Sequence, residues 1–511
     1  MTARQDAERL IAVQAEVIAL KRKAAAWGAN EDEETISAFI GRWEALANWF
    51  QSAVFYEGER YPSVEHAFQA AKAGADAVAA KAIREAATPK LAHELGRKLP
   101  LPVDWERRKR ASMRVSTDPA RALLAALGEP QRGLRVVHVT GSKGKGSTSA
   151  LVAAGLARAG LRVGRYASPH VERLNERVVI DGVEVADELL YGSLARALDA
   201  REALIRERPE VDPTWFDVMT AAALVCFRAA GVEWVVAEVG LGGRLDSTNV
   251  LDGEVCVITN IELEHTAVLG DTHFAIATEK AGILKLGCTL VTGVPAGSEA
   301  DRAIAARAAE LGVAVRRPLS APVEPDTVAE RNRRVAAAVL DELGTRGVVG
   351  RAGERLSGGL LDPATALRAA LPGRQERFRV GSVPVVLDGA HTPASVAAAL
   401  SDLARDPALR VRPVVVLGLA RDKDQAGILK HLAPEAEKLV STSVGTELHR
   451  TAAEIAEAAA AVGVMAESAT PPRAALELAL EHARSRGAWV LVIGSLYLAG
   501  ALRPDLRQAA T

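Results

Sequence analysis

Cysteine is nearly missing from this chain: Cys226, Cys256 and Cys288 are the three in 511 residues, far apart in sequence and in apolar or strand-like surroundings. That excludes a disulfide framework or a cysteine zinc site and makes buried thiols in a reducing cytoplasm the expectation. Net charge is nearly missing too. With 63 Lys+Arg against 64 Asp+Glu the formal charge is −1, so no global field attracts nucleic acid, although anionic small ligands can still be held locally. No apolar run is long enough to span a bilayer as a helix. The opening stretch, MTARQDAERLIAVQAEVIALKRKAAA, mixes acids and bases and reads as an amphipathic helix, not a signal peptide. Aromatic residues make up only 4%, and ten of the twenty fall within the first 110 positions. A small aromatic domain followed by a large α/β region accounts for that skew, and the length itself exceeds one ordinary core.

What the chain does have is glycine at telling places. The stretch VVHVTGSKGKGSTSALVAAGLARAG, from Val136 to Gly160, runs from a β-branched strand through a glycine-punctuated loop into an alanine-rich helix. Backbone N–H groups and the positive end of a helix dipole face an anion in such a layout. Lys145 supplies a point charge for β- and γ-phosphates, and Ser147 or Thr148 a hydroxyl near the metal. Gly146 separates Lys145 from Ser147, which departs from G-x-x-x-x-G-K-[ST]. A glycine-rich turn without ligand is the plain alternative, and the loop by itself names no reaction.

From Leu134 to about Val294 strands and helices alternate, predicting a mostly parallel sheet covered on both faces. Ligands of such sheets bind beyond the carboxyl ends of strands. Four loops there carry polar clusters: Ser168-Pro169-His170, Glu238 with GLGGRLDSTN, Glu262 with Glu264-His265, and Glu279-Lys280-Ala281-Gly282. Taken singly, Ser168 could be a helix cap, Glu238 a surface carboxylate and His265 a structural histidine. Taken together, a hydroxyl, a carboxylate and an imidazole suit a divalent ion beside a phosphate. Magnesium takes few protein ligands and fits so sparse a set.

The aromatic N-terminal region contains SVEHAFQAAK and DWERRKRASM, in which Glu65 and Gln69 lie one helical turn apart with Lys72 further along the same side. Glu65, His66 and Lys72 could hold a hydroxylated ligand, but spacing alone favours a solvated face over a Phe68 core contact. The words nevertheless resemble the NADAR (YbiA-like) family of small N-glycosidase domains acting on ribosylated compounds. The resemblance covers only the first half of such a domain, and Glu65 and Lys72 match its site positions. It implies a truncated fusion, with glycosidase activity or binding of ribosylated metabolites as the minor alternative.

Read in order, SPHVERLNERV, TWFDVMTAA, EVGLGGRLDSTNV and ITNIELEHTAVLGDTHFAIATEKAGILK closely resemble the folylpolyglutamate synthase and dihydrofolate synthase family of Mur-type ligases. LPGRQERF, VVLDGAHTPAS, LGLARDKD and VIGSLYLAGALR carry the resemblance to the C-terminus, over roughly three-quarters of the chain. It implies an ATP-dependent amide ligase that adds L-glutamate to dihydropteroate, to a (tetrahydro)folate or to both through an acyl phosphate; a Mur-type ligase with another carboxylate acceptor is the alternative. Residue by residue, the resemblance puts ATP phosphates on Gly144, Lys145, Gly146 and Ser147. Mg²⁺ falls to Ser168, Glu238 and His265, and further nucleotide contacts to Asn332, Arg374, Asp388 and His391. Lys145, Lys280 and His265 become the catalytic set, with Lys280 matching a lysine that is carbamylated in the family. The pterin side falls to Thr214, Trp215, Phe216, Asp217, Leu245, Asp246 and Ser247. The implied partners are small molecules (pterin or folate, L-glutamate, ATP), with no nucleic acid and no membrane, for a cytoplasmic monomer. Departures from the family words are Thr392 for an asparagine, Asp217 for a glutamate, Glu264 for an aspartate, and a short stretch between Val315 and Asn332.

The expected fold is therefore α/β. A phosphate-loop-containing, parallel-sheet central domain (114–331) precedes a smaller Rossmann-like C-terminal domain (332–511), after a small, mainly helical, truncated NADAR-like domain (1–113). PVVLD, VRPVVVLG, KLVST and WVLVIGS are the strands expected in the last domain. Arg377 and Asp422-Lys423-Asp424 are either charges near the site or surface decoration.

Overall fold

The structure is a computed structural model that describes residues 54–56, 59–61, 77–85, 116–319, 327–445, 449–464 and 466–509. Glu65, His66, Gln69 and Lys72, with the NADAR-like words around them, lie outside these residues. In the N-terminal region the described elements are an antiparallel hairpin, β1 (Val54–Tyr56) with β2 (Glu59–Tyr61), and a helix, Ala77–Arg84. Contacts divide the chain into two compact units, Met1–Ser320 with Val335–Leu360, and Ala321–Arg334 with Leu361–Thr511. The long helix Val328–Thr345 contributes its first turns to one unit and the remainder to the other.

The first unit is built on β3 (Arg135–Thr140), β4 (Val163–Tyr166), β5 (Val178–Ile180), β6 (Val183–Glu184), β7 (Trp234–Glu238), β8 (Val255–Ile258), β9 (Thr289–Thr292) and β10 (Ala314–Arg316). Their spatial order is β10-β9-β8-β3-β7-β4-β5-β6. All pairs from β10 to β4 are parallel, while β5 and β6 add an antiparallel edge. β7, β8 and β9 are buried at every position, as strands covered on both faces should be. Helices Asp118–Ala126, Asp187–Glu207 and Trp215–Ala229 supply much of one core, around Leu123, Leu190, Leu194, Met219 and Phe227. Helices His273–Ala281 and Glu299–Glu310 form another with β8 and β9, around Ile258, Ile283, Leu290 and Ile304.

β3 sits between β7 and β8, so the chain leaves it toward β4 on one side and later returns beside it on the other. The strand order reverses there, and an open parallel sheet opens a ligand crevice at such a point. The loops after β3, β4, β7 and β8 all leave from carboxyl ends at this end of the sheet.

The second unit holds β11 (Glu376–Val380), β12 (Val383–Leu387), β13 (Val414–Leu417), β14 (Lys438–Ser441), β15 (Ala466–Ser468) and β16 (Val490–Ile493), ordered β11-β12-β16-β13-β14-β15. Only β11 is antiparallel. β13, β14 and β16 fall within strands expected from the sequence, and β12 begins one residue before PVVLD. β11 and β15 escaped notice because ERFRV and AES alternate charge with few apolar residues and lie at the sheet edges, where burial imposes no apolar pattern.

The cysteines are free and buried. Pairing of β8 with β9 nonetheless brings two of them together: a hydrogen bond to Cys288 is the first cause holding the Cys256 thiol well above its usual range, with burial second. Arg377 forms an exposed pair with Asp406, Lys423 pairs with Asp422, and Asp424 caps the helix Gln425–Leu432, so these charges serve the surface and a helix end. Thr392, in the place of the family's asparagine, caps the helix Pro393–Leu403 and shares a 2.8 Å hydroxyl contact with Ser395.

Candidate active site

The glycine-rich loop after β3 is shaped by what its glycines must avoid. Gly141 has φ 147°, and a Cβ there would lie 1.9 Å from Thr259 Oγ1 on the loop after β8. Gly144, at φ 79°, is the N-cap of the helix Lys145–Arg158. The loop is pinned from its neighbour: Asn260 O accepts from Ser142 N at 3.0 Å and Asn260 Oδ1 from Lys143 N at 2.7 Å. The first N–H groups of any helix lack intrahelical acceptors, so the backbone of Lys145, Gly146 and Ser147 offers donors to an anion. Of the two hydroxyls in question, Ser147 is half-buried while Thr148 is fully buried with an unpartnered Oγ1.

Lys145 Nζ folds back to donate to Gly141 O at 2.8 Å and Ser142 O at 3.3 Å. Lys280, one residue before the end of the helix His273–Ala281, donates to the same Gly141 oxygen at 2.9 Å and to Glu264 Oε1 at 3.1 Å. Lys143 Nζ stands 3.9 Å from the other oxygen of Glu264. Three lysines thus converge on one carboxylate and one carbonyl. Burial, and then the Lys145 charge, bring the Lys280 ammonium down to about 8 against the partial support of Glu264. Burial pushes Glu264 upward, but Lys280, Lys145 and Lys143 hold it net below the usual range.

The lowered value of Lys280 has a consequence for stability. An unfolded lysine stays protonated up to about pH 10.4, whereas the folded one releases its proton near 8. Between those values the unfolded chain binds more protons, so this group makes stability rise with pH across that window. Against Lys280→Met, which cannot titrate, the wild-type protein should gain thermal stability between pH 8 and pH 10. A constant difference in melting temperature over that range would contradict the burial described.

Ser168 and Glu238 end neighbouring strands β4 and β7. Glu238 is only 4% exposed, and its Oε2 accepts from Ser168 N at 3.4 Å. A carboxylate kept in so buried a place calls for a cation or donors, and the charge of the buried Arg165 guanidinium already acts on it. A hydroxyl and a carboxylate are hard oxygen donors, and a small divalent ion that keeps water and phosphate oxygens needs no more. The pair therefore fits Mg²⁺. His265 stands on the loop after β8 as the N-cap of a short helix, exposed and at φ 47°. Among the described residues no group of three or more His, Cys, Asp or Glu is placed to hold a metal ion by itself.

Thr214, Trp215, Phe216 and Asp217 open the helix Trp215–Ala229. Asp217 is buried, with Oδ2 accepting from Thr214 N at 2.7 Å and Oδ1 from Ser247 Oγ at 2.6 Å. Burial pushes its carboxyl up, and these hydrogen bonds oppose that. Trp215 and Phe216 meet edge to face with ring centroids 4.7 Å apart, and the Arg177 guanidinium lies 4.6 Å from the Trp215 ring. Phe216 is half exposed, and a Cβ on Gly240 would come within 3.9 Å of its ring and 3.7 Å of Ser168 Oγ. Asp246 is likewise occupied: Oδ2 takes Gly240 N at 3.1 Å and Leu241 N at 3.0 Å, and Oδ1 takes Thr248 N at 2.9 Å. Both carboxylates thus shape the loops around Phe216, and Leu245 stands half-buried beside them.

In the second unit Arg374, Asp388 and His391 gather where β12 ends. Asp388 is 7% exposed and accepts from Gln375 N at 2.9 Å and Ala390 N at 2.7 Å, while His391 Nδ1 lies 2.7 Å from Gly389 O. Burial raises the Asp388 carboxyl and the Arg374 charge opposes it. Asn332 lies half-buried near the start of the helix Val328–Thr345, whose first N–H donates to Asp402 of this unit.

Residues 373–496 match the family described as Mur ligase, glutamate ligase domain. The chain is 33% identical over 448 residues to a probable bifunctional folylpolyglutamate synthase/dihydropteroate synthase of Haloferax volcanii; the match takes in 78% of this chain but only about half (49%) of that relative. With the dihydrofolate synthase/folylpolyglutamate synthase of Mycobacterium tuberculosis it shares 32% identity over 368 residues, 64% of this chain and 73% of that one. The chain belongs to this ligase family. A bifunctional folylpolyglutamate synthase/dihydrofolate synthase from Yersinia pestis, complexed with AMPPNP and Mn ion, superimposes with a TM-score of 0.64 at 29% identity, covering 77% of this chain and 94% of that one. Family membership and the two-sheet fold thus agree with the sequence reading. Thr248 and Asn249 stood in the word GLGGRLDSTN without a role of their own, and His138 was passed over because a histidine in an apolar strand carries no outward pattern.

Proposed function

We propose that the chain is an ATP-dependent amide ligase joining L-glutamate to dihydropteroate, to a (tetrahydro)folate, or to both. The observation that carries this reading is the convergence at one sheet end of a lysine-rich phosphate loop and the buried Glu238 beside half-buried Ser168. The glutamate ligase domain match supplies the second substrate.

In this reading the helix N-terminus and Lys145 hold the phosphates, with Gly144, Gly146 and Ser147 lending backbone. Ser168 and Glu238, with His265, would hold Mg²⁺, which when bound neutralises phosphate charge and favours attack on phosphorus. The acceptor carboxylate attacks the γ-phosphorus, the bond to ADP breaks, and an acyl phosphate forms. The glutamate amine then attacks the acyl carbon, inorganic phosphate departs, and the amine loses a proton to solvent. No covalent bond to the protein is needed; the residues position and stabilise charge. Phe216 offers a flat apolar face for the acceptor ring, and Arg374, Asp388, His391 and Asn332 are assigned to the nucleotide. Among the described residues no helix is long and apolar enough to cross a membrane, and the proposed setting is the cytoplasm, as a monomer.

Purified protein with ATP, Mg²⁺, L-glutamate and each pterin acceptor should release ADP only when acceptor and glutamate are both present. Absence of glutamate-dependent release with every pterin would remove the folate reading. Release with another carboxylate would move the chain to a different acceptor of the same chemistry.

A further inference from the structure

The four residues Asp246-Ser247-Thr248-Asn249 each reach a different part of the site. Asp246 holds the Gly240–Leu241 turn, and Ser247 holds Asp217 at the head of its helix. Asn249 Nδ2 donates to Arg244 O at 2.9 Å and to Gly282 O at 3.2 Å, beside the helix that carries Lys280. Thr248 reaches inward, where its Oγ1 lies 2.9 Å from Nε2 of His138 in the middle of β3.

The protons in this chain can be placed. Thr248 Oγ1 also lies 2.5 Å from Asp246 Oδ1, and a carboxylate that already takes three backbone N–H groups acts as an acceptor. The threonine hydroxyl has one proton, which it gives to Asp246. It must therefore accept from His138, whose Nε2 carries the hydrogen. Neutral imidazole then leaves Nδ1 bare, and Nδ1 is indeed buried without a partner. His138 is fully buried, and burial, followed by the Lys285 charge, lowers it to about 3, so it stays neutral at working pH.

We propose that His138 is a positioning residue: from within the phosphate-loop strand it fixes Thr248, through it Asp246, and so the Gly240–Leu241 turn lying between Ser168 and Phe216. One imidazole thereby ties the acceptor side of the site to the strand that presents the phosphate loop. The effect on turnover rests on the ligase reading; the effect on the turn does not.

The test uses the full chain and three variants. His138→Leu removes the donor, Thr248→Val removes the hydroxyl with little change of shape, and His138→Gln returns an N–H at nearly the reach of Nε2. Amide exchange followed by mass spectrometry should speed up in the segment holding Gly240 and Leu241 by about tenfold in the first two, and return close to wild type in the third. In steady-state kinetics, kcat/KM for the acceptor should fall about tenfold, the worth of one buried hydrogen bond, while KM for ATP stays within twofold. The double variant should cost no more than Thr248→Val alone, because that change already removes both links of the relay, from His138 and to Asp246. Unchanged exchange at this turn in His138→Leu and Thr248→Val, or an equal rise along all of β3, overturns the inference. If the wild-type protein ligates no pterin while the turn still loosens as described, the positioning stands and the acceptor assignment fails. Should His138→Leu not fold, Thr248→Val and His138→Gln decide by the same readings.

Discussion

Lys145→Ala should lower kcat by about 10³-fold, the scale of losing a preorganised charge on a transferring phosphoryl group. In the structure its ammonium lies over the loop on Gly141 O and Ser142 O, where it closes the cradle. The loop's backbone is fixed independently, by Asn260 accepting from Ser142 and Lys143, so the fold should survive the change. A melting temperature within a few degrees of wild type, about 2–4 °C per kcal/mol for a domain of this size, would separate lost chemistry from lost structure. Activity retained within threefold would refute the phosphate-loop assignment.

Lys280→Ala should cost more than activity. It removes the nearer of the two lysines paired with Glu264, whose side chain is 15% exposed, and one of two ammonium groups on Gly141 O. Breaking a buried pair by deleting one member costs about 3–5 kcal/mol, so both kcat and stability should fall together. The chemical state of this residue decides the rescue. As a carbamate, formed when the neutral amine adds to CO₂ and a proton leaves, it would present an anion beside Lys143 and Lys145. Formate or acetate would then restore part of the activity of Lys280→Ala. As an ammonium it would be replaced by methylammonium or ethylammonium instead. Its lowered proton affinity keeps a usable fraction of neutral amine near pH 8, which carbamate formation requires. Restoration by neither class would leave Lys280 a purely structural partner of Glu264.

Much of this site could be read in the sequence because its parts are written as glycine-rich or polar words directly after apolar strands. VVHVTGSKGKGST, WVVAEVGLGG and VCVITNIELEH each announce a strand and the loop beyond its carboxyl end. Neighbourhood was beyond the reach of those words. That β3 lies between β7 and β8 depends on crossovers, and only this order brings Lys280, distant in sequence, onto Gly141 O. The aspartates show the same limit from another side. Asp217 and Asp246 read as residues facing an acceptor, yet their oxygens are taken by Thr214, Ser247, Gly240, Leu241 and Thr248. Asp217 closes a capping box with Thr214, as a glutamate at that position also can, and the shortening itself has no structural explanation. His138 was illegible because a lone histidine in an apolar strand is usually filler, and its value lies in what it touches.

The proposed ligase activates its acceptor carboxylate by phosphorylating it. An acceptor labelled with ¹⁸O in its reacting carboxylate, incubated with ATP, Mg²⁺, L-glutamate and the protein, tests this directly. One ¹⁸O is expected in each phosphate released, carried over from the acyl phosphate as the amide forms. Unlabelled phosphate alongside labelled amide product would contradict it.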